Sequence, residues 1–172
     1  MDVTIRPASE NDLEQYSSLL QKTYQETYPD DELGLTKDLY SERVFSSERI
    51  QSYLKANLLV NDKQKAWLAF INHKLVGSIT IKDTGKEFEL VGLYVSRAYQ
   101  SRGVGKMLME KALDFAKSKD IVLDLYINNI KAIDFYKKWG FKIDFDKGTF
   151  FRHWPEWPQN VKAEHQYMRL TQ

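Results

Sequence analysis

Cysteine is absent from the sequence of 172 residues. Disulfide bonds, thiolate metal sites and a cysteine nucleophile are therefore excluded. An excess of one charge is absent too, because 25 Lys and Arg residues are balanced by 24 Asp and Glu residues, for a net charge of +1. Such a balance gives no overall attraction to nucleic acid or to an anionic membrane, so neither is expected as a partner.

Long apolar runs are also missing. No segment approaches the roughly 20 apolar residues of a membrane-spanning helix, and residues 1–6 lack the basic and apolar segments of a signal peptide. The three histidines, His73, His153 and His165, are scattered along the chain, which predicts no metal site. The length and a hydrophobic content of 42% are those of one soluble domain over residues 1–172, which we expect to be cytoplasmic.

Helical spacing dominates the first third of the chain. Apolar residues from Leu13 to Tyr24 recur every three or four positions and predict a helix. This helix should end near Tyr28, because Pro29 disfavours helical geometry in the residue before it. One strand before it and two shorter helices after it are predicted at residues 3–6, 37–45 and 48–55.

The middle of the chain changes to the period of β-strands. Three apolar segments joined by short turns, at residues 66–71, 75–81 and 87–96, predict an antiparallel meander. Residues 104–117 then carry one apolar stripe and predict a helix. The next strand, at 121–127, is expected to run parallel to the strand at 87–96, because the connection between them is a helical crossover.

Another helix is predicted at residues 129–139, ending at Gly140 in a C-cap position. Two last strands are predicted at 141–145 and 166–170, with an ordered aromatic loop around 154–158 between them. The pattern as a whole predicts a mixed α/β domain. Its sheet should be twisted and mostly antiparallel, with one parallel pair, and flanked by helices.

A glycine-rich loop precedes the helix at 104–117. Gly103 and Gly105 allow backbone N–H groups to turn inward at a helix N-terminus, which is a common way to hold a phosphate or pyrophosphate. Arg102 and Lys106 add positive charge. The same two glycines are also typical of an ordinary tight turn into a helix.

Two better-known phosphate motifs do not fit this loop. A P-loop needs two glycines five positions apart followed by Lys and Ser or Thr, and the sequence has none. The dinucleotide-binding fingerprint would need glycine at position 108, where this chain has Leu108. Both motifs are excluded.

The motifs around this loop follow a fixed order along residues 87–145. They are a hydrophobic strand, Gln100-x-x-Gly103-x-Gly105, a helix, a strand, Asn129-x-x-Ala132-x-x-x-Tyr136, and Gly140-Phe141. This order and spacing resemble the GNAT superfamily of acyl-CoA-dependent N-acetyltransferases. The resemblance implies a single GNAT-like domain that uses acetyl-CoA as co-substrate and needs no metal.

The resemblance also implies a role for each matching position. The strand matching Leu93, Tyr94 and Val95 hydrogen-bonds the pantetheine arm of CoA, and a bulge near Gly92 splays it from the next strand. Asn129 contacts the same arm, and Tyr136 lies near the thioester sulphur. The loop that cradles the pyrophosphate matches Gln100, Ser101, Arg102, Gly103, Val104, Gly105 and Lys106. Lys138 is within reach of the phosphates, although it also fits a solvated helix edge.

Amine attack on a thioester needs a neutral amine, a stabilised oxyanion and a protonated leaving thiolate. Asn129 and Tyr136 lie seven residues apart on one helix face, about 10 Å along its axis, so they could touch two points of one extended cofactor. Tyr136 is the candidate acid and Glu89, on the cofactor-binding strand, the candidate base. Spacing alone also allows a core aromatic at 136 and an exposed strand carboxylate at 89.

The acceptor is predicted to be a primary amine, and a small amine or polyamine is favoured. Thr23-Tyr24-x-x-Thr27-Tyr28 is similar to the bacterial polyamine and small-amine acetyltransferase branch, and an acidic loop at 30–32 would suit a polycation. Protein N-termini, lysine side chains, amino acids and antibiotics remain open as acceptors. A non-catalytic acyl-CoA-binding regulator remains open too, as do the monomeric and homodimeric states. Further candidates on the acceptor side are Glu26, Asp31, Glu156, Trp154 and Trp157.

Overall fold

A computed structural model describes residues 2–172, which form eight strands and five α-helices. The strands are β1 (Thr4–Pro7), β2 (Gln64–Ile71), β3 (Lys74–Asp83), β4 (Phe88–Val95), β5 (Ile121–Tyr126), β6 (Lys142–Ile143), β7 (Thr149–Arg152) and β8 (Ala163–Leu170). The helices are α1 (Leu13–Thr27), α2 (Glu42–Phe45), α3 (Glu48–Asn57), α4 (Val104–Phe115) and α5 (Ile130–Lys138). No helix within this described range is both long and apolar enough to cross a bilayer.

All strands join one sheet, in the order β1-β2-β3-β4-β5-β8-β6, with β7 also paired to β8. Every pairing is antiparallel except that of β4 with β5. The predicted fold class is therefore confirmed, including the meander of β2, β3 and β4 and the single parallel pair.

The sheet separates two hydrophobic clusters. On one face, α4 packs through the apolar stripe that its sequence predicts, with Val104, Leu108 and Ala112 fully buried, and α5 adds Ile133. On the other face, α1, α2 and α3 cover the sheet with side chains such as Tyr16. Burial of these two apolar surfaces is the main force that fixes the helices to the sheet.

The parallel pair is short, and this creates the site. β4 and β5 pair only at Phe88 with Ile121 and at Glu89 with Val122, after which the strands diverge. The cause lies in β4, where Ile81 of β3 is paired with Leu90 but the neighbouring Thr80 is paired with Gly92. The extra residue in β4 bends the strand and increases its twist. The bulge predicted near Gly92 is therefore confirmed.

Two local predictions were wrong. The stretch between the last two predicted strands is not only a loop, because residues 149–152 form β7 and β8 begins at Ala163 instead of 166. β8 lengthens because it pairs with β5 on one side and with β7 and β6 on the other. The helix predicted at 37–45 is broken at Ser41, whose ψ of 164° is extended, into a 3-10 turn and the short helix α2.

Candidate active site

A cavity of about 710 Å³ opens where β4 and β5 diverge. The end of β4, the loop before α4, the helix α5 and the end of α1 surround it. Most of the residues predicted to bind the cofactor line it together: Leu93, Tyr94, Val95, Gln100, Ser101, Gly103, Gly105, Lys106, Asn129, Ala132, Tyr136 and Lys138.

The loop before α4 has the backbone geometry that its glycines predict. Gly103 is the N-cap of α4 with φ of +85°, and Ser101 also has a positive φ of 59°. A hydrogen bond of 3.1 Å from Gln100 Nε2 to the carbonyl oxygen of Val95 ties the loop to the end of β4. In the described chain no side chain caps the N-terminus of α4, so its first-turn amides are available to an outside acceptor.

Two predicted loop residues do not line the cavity. Val104 is fully buried in the core, where its Cγ1 lies 3.1 Å from the position that a Cβ on Gly77 would take. Its side chain anchors the helix, which leaves only its backbone amide for a ligand. The Arg102 guanidinium lies over the ring of Tyr99, 5.7 Å from the ring centroid.

Four other cations surround this cavity, at Arg97, Lys106, Lys131 and Lys138. Arg97 and Lys131 were not predicted as site residues from the sequence, and only their position next to the motifs could have indicated them.

Asn129 has a structural role as well as a place in the cavity. Its Oδ1 accepts a hydrogen bond of 3.3 Å from the backbone N–H of Ala132, which makes it the N-cap of α5. The Nδ2 group of the same side chain is still a donor that a ligand could use.

Tyr136 lines the inner part of the cavity and is 6% exposed. Burial raises the pKa of its hydroxyl well above the ordinary value, and the nearby Tyr28 and Asp124 add to the effect. The hydroxyl therefore keeps its proton throughout the physiological pH range and acts as a hydrogen-bond donor.

Glu89 is exposed and lies outside this cavity. It belongs to the paired part of β4, opposite Lys82 and Val122. Its side chain shares a sheet face with Val91, two residues along β4, so it points to the side of the sheet opposite α4.

A second, smaller cavity of about 50 Å³ lies on that opposite face. Tyr28 and Tyr94 line both cavities, so the two lie next to each other. The walls of the second cavity are mainly aromatic, and the residues that line it are Tyr24, Tyr28, Tyr40, Tyr53, Val91, Tyr94, Asp124, Arg152, Trp154, Trp157, Ala163 and His165. The predicted aromatic residues Trp154 and Trp157 are therefore brought to a site, where their rings stack at 5.2 Å.

Burial keeps three phenols of this second cavity neutral. It raises the pKa of Tyr28 to about 12 and those of Tyr24 and Tyr94 well above the ordinary value. The hydroxyls of Tyr24 and Tyr94 are hydrogen-bonded to each other at 3.0 Å. The cavity therefore presents uncharged aromatic rings.

Sequence reasoning missed three polar residues of this cavity. Asp124 Oδ2 accepts hydrogen bonds from Arg152 Nη2 at 2.9 Å and from His165 Nδ1 at 2.8 Å. Burial, the largest single influence, lowers the pKa of the Arg152 guanidinium, but Asp124 together with the surrounding tyrosines raises it overall. A signal was present, because Asp124 is the one charged residue in the apolar strand Ile121–Tyr126.

The remaining acidic candidates lie elsewhere. Glu26 is exposed at the rim of the first cavity, whereas Glu156 is paired with Arg49, 2.9 Å from its Nε. Asp31 lines neither cavity. Asp30, in the acidic loop, accepts a hydrogen bond of 2.9 Å from the Tyr126 hydroxyl, which lowers the pKa of that carboxyl. Within the described residues, no three His, Asp or Glu side chains are grouped to hold a metal ion.

The motifs and this geometry agree with a family comparison. The model of the Acetyltransferase (GNAT) family matches residues 13–141, which is most of the chain. The chain belongs to the GNAT acetyltransferase family. The match includes α1, both diverging strands and all of α5, and it ends just before β6.

Individual GNAT relatives cover most of this chain. A spermidine N(1)-acetyltransferase of Thermoplasma acidophilum is 29% identical over 161 residues, 88% of this chain and 95% of the relative. Streptothricin acetyltransferase A of Bacillus subtilis is 25% identical over 124 residues, 67% of this chain and 72% of the relative. The crystal structure of the PaiA N-acetyltransferase of T. acidophilum with coenzyme A matches with a TM-score of 0.69. It covers 100% of both chains at 21% identity, so it supports the fold.

Proposed function

We propose that this GNAT protein transfers the acetyl group of acetyl-CoA directly to a primary amine, with a small amine or polyamine as the acceptor. The observation that carries the proposal is a pair of adjacent cavities beside the diverging strands, with Tyr28 and Tyr94 in both linings. The first has an open helix N-terminus at one side and Tyr136 in its lining, and the second is lined by Val91 of β4 and Asp124 of β5.

The first cavity fits a CoA-sized ligand in shape and in charge. Beyond Glu89, the edge of β4 that faces β5 has no strand partner, so its backbone groups can hydrogen-bond an extended arm. The amides at the start of α4, together with Lys106, Lys131 and Lys138, suit the phosphates. These residues would hold the cofactor, with Asn129 Nδ2 as a further donor to its arm.

Acetyl-CoA supplies a thioester, whose carbonyl carbon is the electrophile. A backbone N–H in the segment Leu93–Val95 stabilises the oxyanion, because the unpaired edge of β4 presents such donors to the gap. The Tyr136 hydroxyl donates a hydrogen bond to the departing sulphur. In the overall reaction an N–C bond forms, the C–S bond breaks, and one amine proton is replaced by the acyl group while the thiol gains a proton.

The arriving ammonium must lose a proton, and in this proposal Glu89 accepts that proton through a water molecule. Glu89 lies on the same sheet face as Val91, which lines the second cavity, and its exposure keeps water at the carboxylate. Because the residue lies outside both cavities, a direct contact with the amine is not part of this assignment. With no cysteine in the sequence, a thioester-linked enzyme intermediate is excluded.

The small-amine acceptor is supported by a relative of nearly equal length. The spermidine N(1)-acetyltransferase of T. acidophilum aligns over 88% of this chain, so the match extends well beyond the cofactor motifs of residues 87–145. The aromatic walls of that cavity also suit a cationic amine.

An acetylation assay with thiol detection over a panel of amines tests the proposed function. We expect release of CoA thiol that depends on a small primary amine or polyamine. The panel includes spermidine, n-butylamine, lysine and a peptide with a free N-terminus. Turnover of the peptide alone would instead favour protein N-terminal acetylation, and tight CoA binding without turnover of any member would favour a non-catalytic regulator.

Glu89→Gln tests the base separately. We expect turnover near neutral pH to fall by about 10- to 100-fold, because a positioned base contributes a factor of about this size or larger. CoA affinity should stay within about twofold of the parent. A turnover rate equal to that of the parent protein would remove Glu89 from the mechanism.

A further inference from the structure

Asp124 lies directly at the gap between the two diverging strands. The last pair of the parallel ladder is Glu89 with Val122. Val91 on β4 and Asp124 on β5 each lie two residues beyond this pair. Asp124 shares a sheet face with Val122, whereas Val91 is the extra residue of the β4 bulge. Val91 and Asp124 both line the second cavity, so they flank the gap on that face.

The two oxygens of the Asp124 carboxylate have different surroundings. Oδ2 accepts from both Arg152 and His165, whereas no hydrogen bond among residues 2–172 uses Oδ1. The carboxylate is about one-quarter exposed, at 23%. Two donors thus hold the group in place, and one oxygen remains for a donor that arrives from outside.

Asp124 also lies within electrostatic reach of the residue proposed to assist the leaving sulphur. Its negative charge contributes to raising the pKa of Tyr136, which lines the first cavity. An amine nitrogen bound at Asp124 would therefore approach the gap from the side of the second cavity, while the Tyr136 hydroxyl lies on the side of the first.

We infer that the second cavity binds the acceptor as a narrow, straight-chain primary alkylammonium, with its nitrogen hydrogen-bonded to Asp124 Oδ1. This inference rests on the proposed function and names the form of amine that fits it. Asp124 is a catalytic residue in this assignment because it touches the substrate nitrogen. The ammonium first loses one proton to water. One of the remaining N–H groups of the amine still donates a hydrogen bond to Oδ1, and the nitrogen lone pair faces the gap.

The size and chemistry of the cavity limit the occupant. About 50 Å³ is room for a few water molecules, which suits an ammonium with its first methylene groups and leaves little space for a branch next to the nitrogen. The rings of Tyr28 and Trp154 line the cavity with neutral aromatic faces, which attract a cation, and Asp124 offsets the charge of Arg152 in the same lining. A peptide α-amine carries a substituent on its first carbon and is therefore disfavoured.

The test compares Asp124→Asn with Glu164→Gln, a change on the neighbouring strand β8 outside both cavities. The probes are n-butylamine and its branched isomer sec-butylamine. We expect Asp124→Asn to raise the KM for n-butylamine by about 10- to 100-fold, the size of a lost hydrogen bond to a charged group. Glu164→Gln should leave it unchanged. Wild-type protein should prefer n-butylamine to sec-butylamine by about tenfold or more.

Binding is measured in parallel by titrating n-butylammonium against the intrinsic tryptophan fluorescence, since Trp154 and Trp157 line the cavity. This readout stays informative if no amine is acetylated, in which case the proposed function fails. The inference then stands if Asp124→Asn weakens binding and falls if it does not. The dissociation constant for CoA should be unchanged in both variants.

Val91→Phe covers the case in which Asp124→Asn does not fold. It places a larger side chain in the lining of the cavity and leaves Asp124 itself unchanged, and we expect it to weaken n-butylamine binding by about tenfold or more while CoA binding is retained. Either of two results would overturn the inference. One is a folded Asp124→Asn with a parental KM and dissociation constant for n-butylamine, and the other is equal use of the straight and branched amines.

Discussion

Burial decides what the side chain of Tyr136 can do. An exposed phenol has a pKa of about 10, but the surrounding core of this protein raises it well above that value. The raised pKa makes complete proton transfer to a thiolate more costly and leaves the hydroxyl as a permanent hydrogen-bond donor. At the scale of a single residue, the environment therefore selects the role from those that the residue type allows.

Tyr136→Phe removes this donor and keeps the ring. We expect turnover to fall by about 10- to 100-fold, because the departing sulphur loses its hydrogen bond, while the dissociation constant for CoA stays within about twofold. Steady-state kinetics and a CoA titration measure both. The matched control is Tyr167→Phe on β8, outside both cavities. Parental turnover in Tyr136→Phe would show that the departing sulphur does not need this hydrogen bond.

Asn129 caps helix α5 and is also proposed to contact the cofactor. Two substitutions test these two roles separately. Asn129→Ser keeps a capping oxygen but lacks the amide donor, so we expect parental thermal stability with CoA affinity weakened by about tenfold. Asn129→Ala lacks both groups and should also lower stability by about 1 kcal/mol. Thermal melting and CoA titration distinguish them. If Asn129→Ser binds CoA as the parent does, the residue is only a cap.

The loop before α4 works as an element, because a left-handed residue sets the direction of the helix and of its first amides. Gly103 has φ of +85°, and a Cβ added there would meet open space. Glycine is therefore needed at this position for backbone geometry and not for packing. Gly105 differs, because its φ is not positive and a Cβ there would make only ordinary contacts, at 3.6 Å, with Phe135 and Val95. Of the two glycines in the motif, only Gly103 is therefore required by its own backbone conformation.

Gly103→Ala tests the loop geometry, and Gly85→Ala is its matched control. Gly85 has φ of +93°, also has no neighbour around its Cβ position, and lies in a turn away from both cavities. Both changes should lower thermal stability by a similar amount, about 1 kcal/mol, since the strain is the same. Only Gly103→Ala should weaken CoA binding, by about tenfold. Equal CoA affinities would show that the loop does not hold the phosphates.

For the molecule as a whole, a ligand that binds only the folded state raises its stability. At a CoA concentration of about 100 times the dissociation constant, the gain is about 2.7 kcal/mol. In a protein of this size that corresponds to a rise in Tm of about 5–10 °C. Thermal melting with and without CoA measures it. Gly103→Ala should show a smaller rise at the same CoA concentration, and an unchanged Tm at high CoA would contradict the assignment of the first cavity.

The sequence by itself determined the family, the fold class and most residues of the first cavity. It could do so because these features are local: periodicity defines the strands and helices, and the residues from Gln100 to Tyr136 lie close along the chain. The bulge near Gly92 was predicted from the family resemblance, because a glycine stands where such a bulge forms easily. β7 was not, because Thr149–Arg152 becomes a strand only through pairing with β8.

Only the tertiary structure decided what surrounds the second cavity. Asp124, Arg152 and His165 come from three strands, and the residues hydrogen-bonded to Asp124 lie 28 and 41 positions away along the chain. No local spacing records such contacts. They arise because β8 pairs with β5 on one side and with β7 on the other, which brings three distant side chains to one face of the sheet. The cofactor motif was therefore visible as a pattern, whereas the proposed acceptor site exists only after the strands are paired.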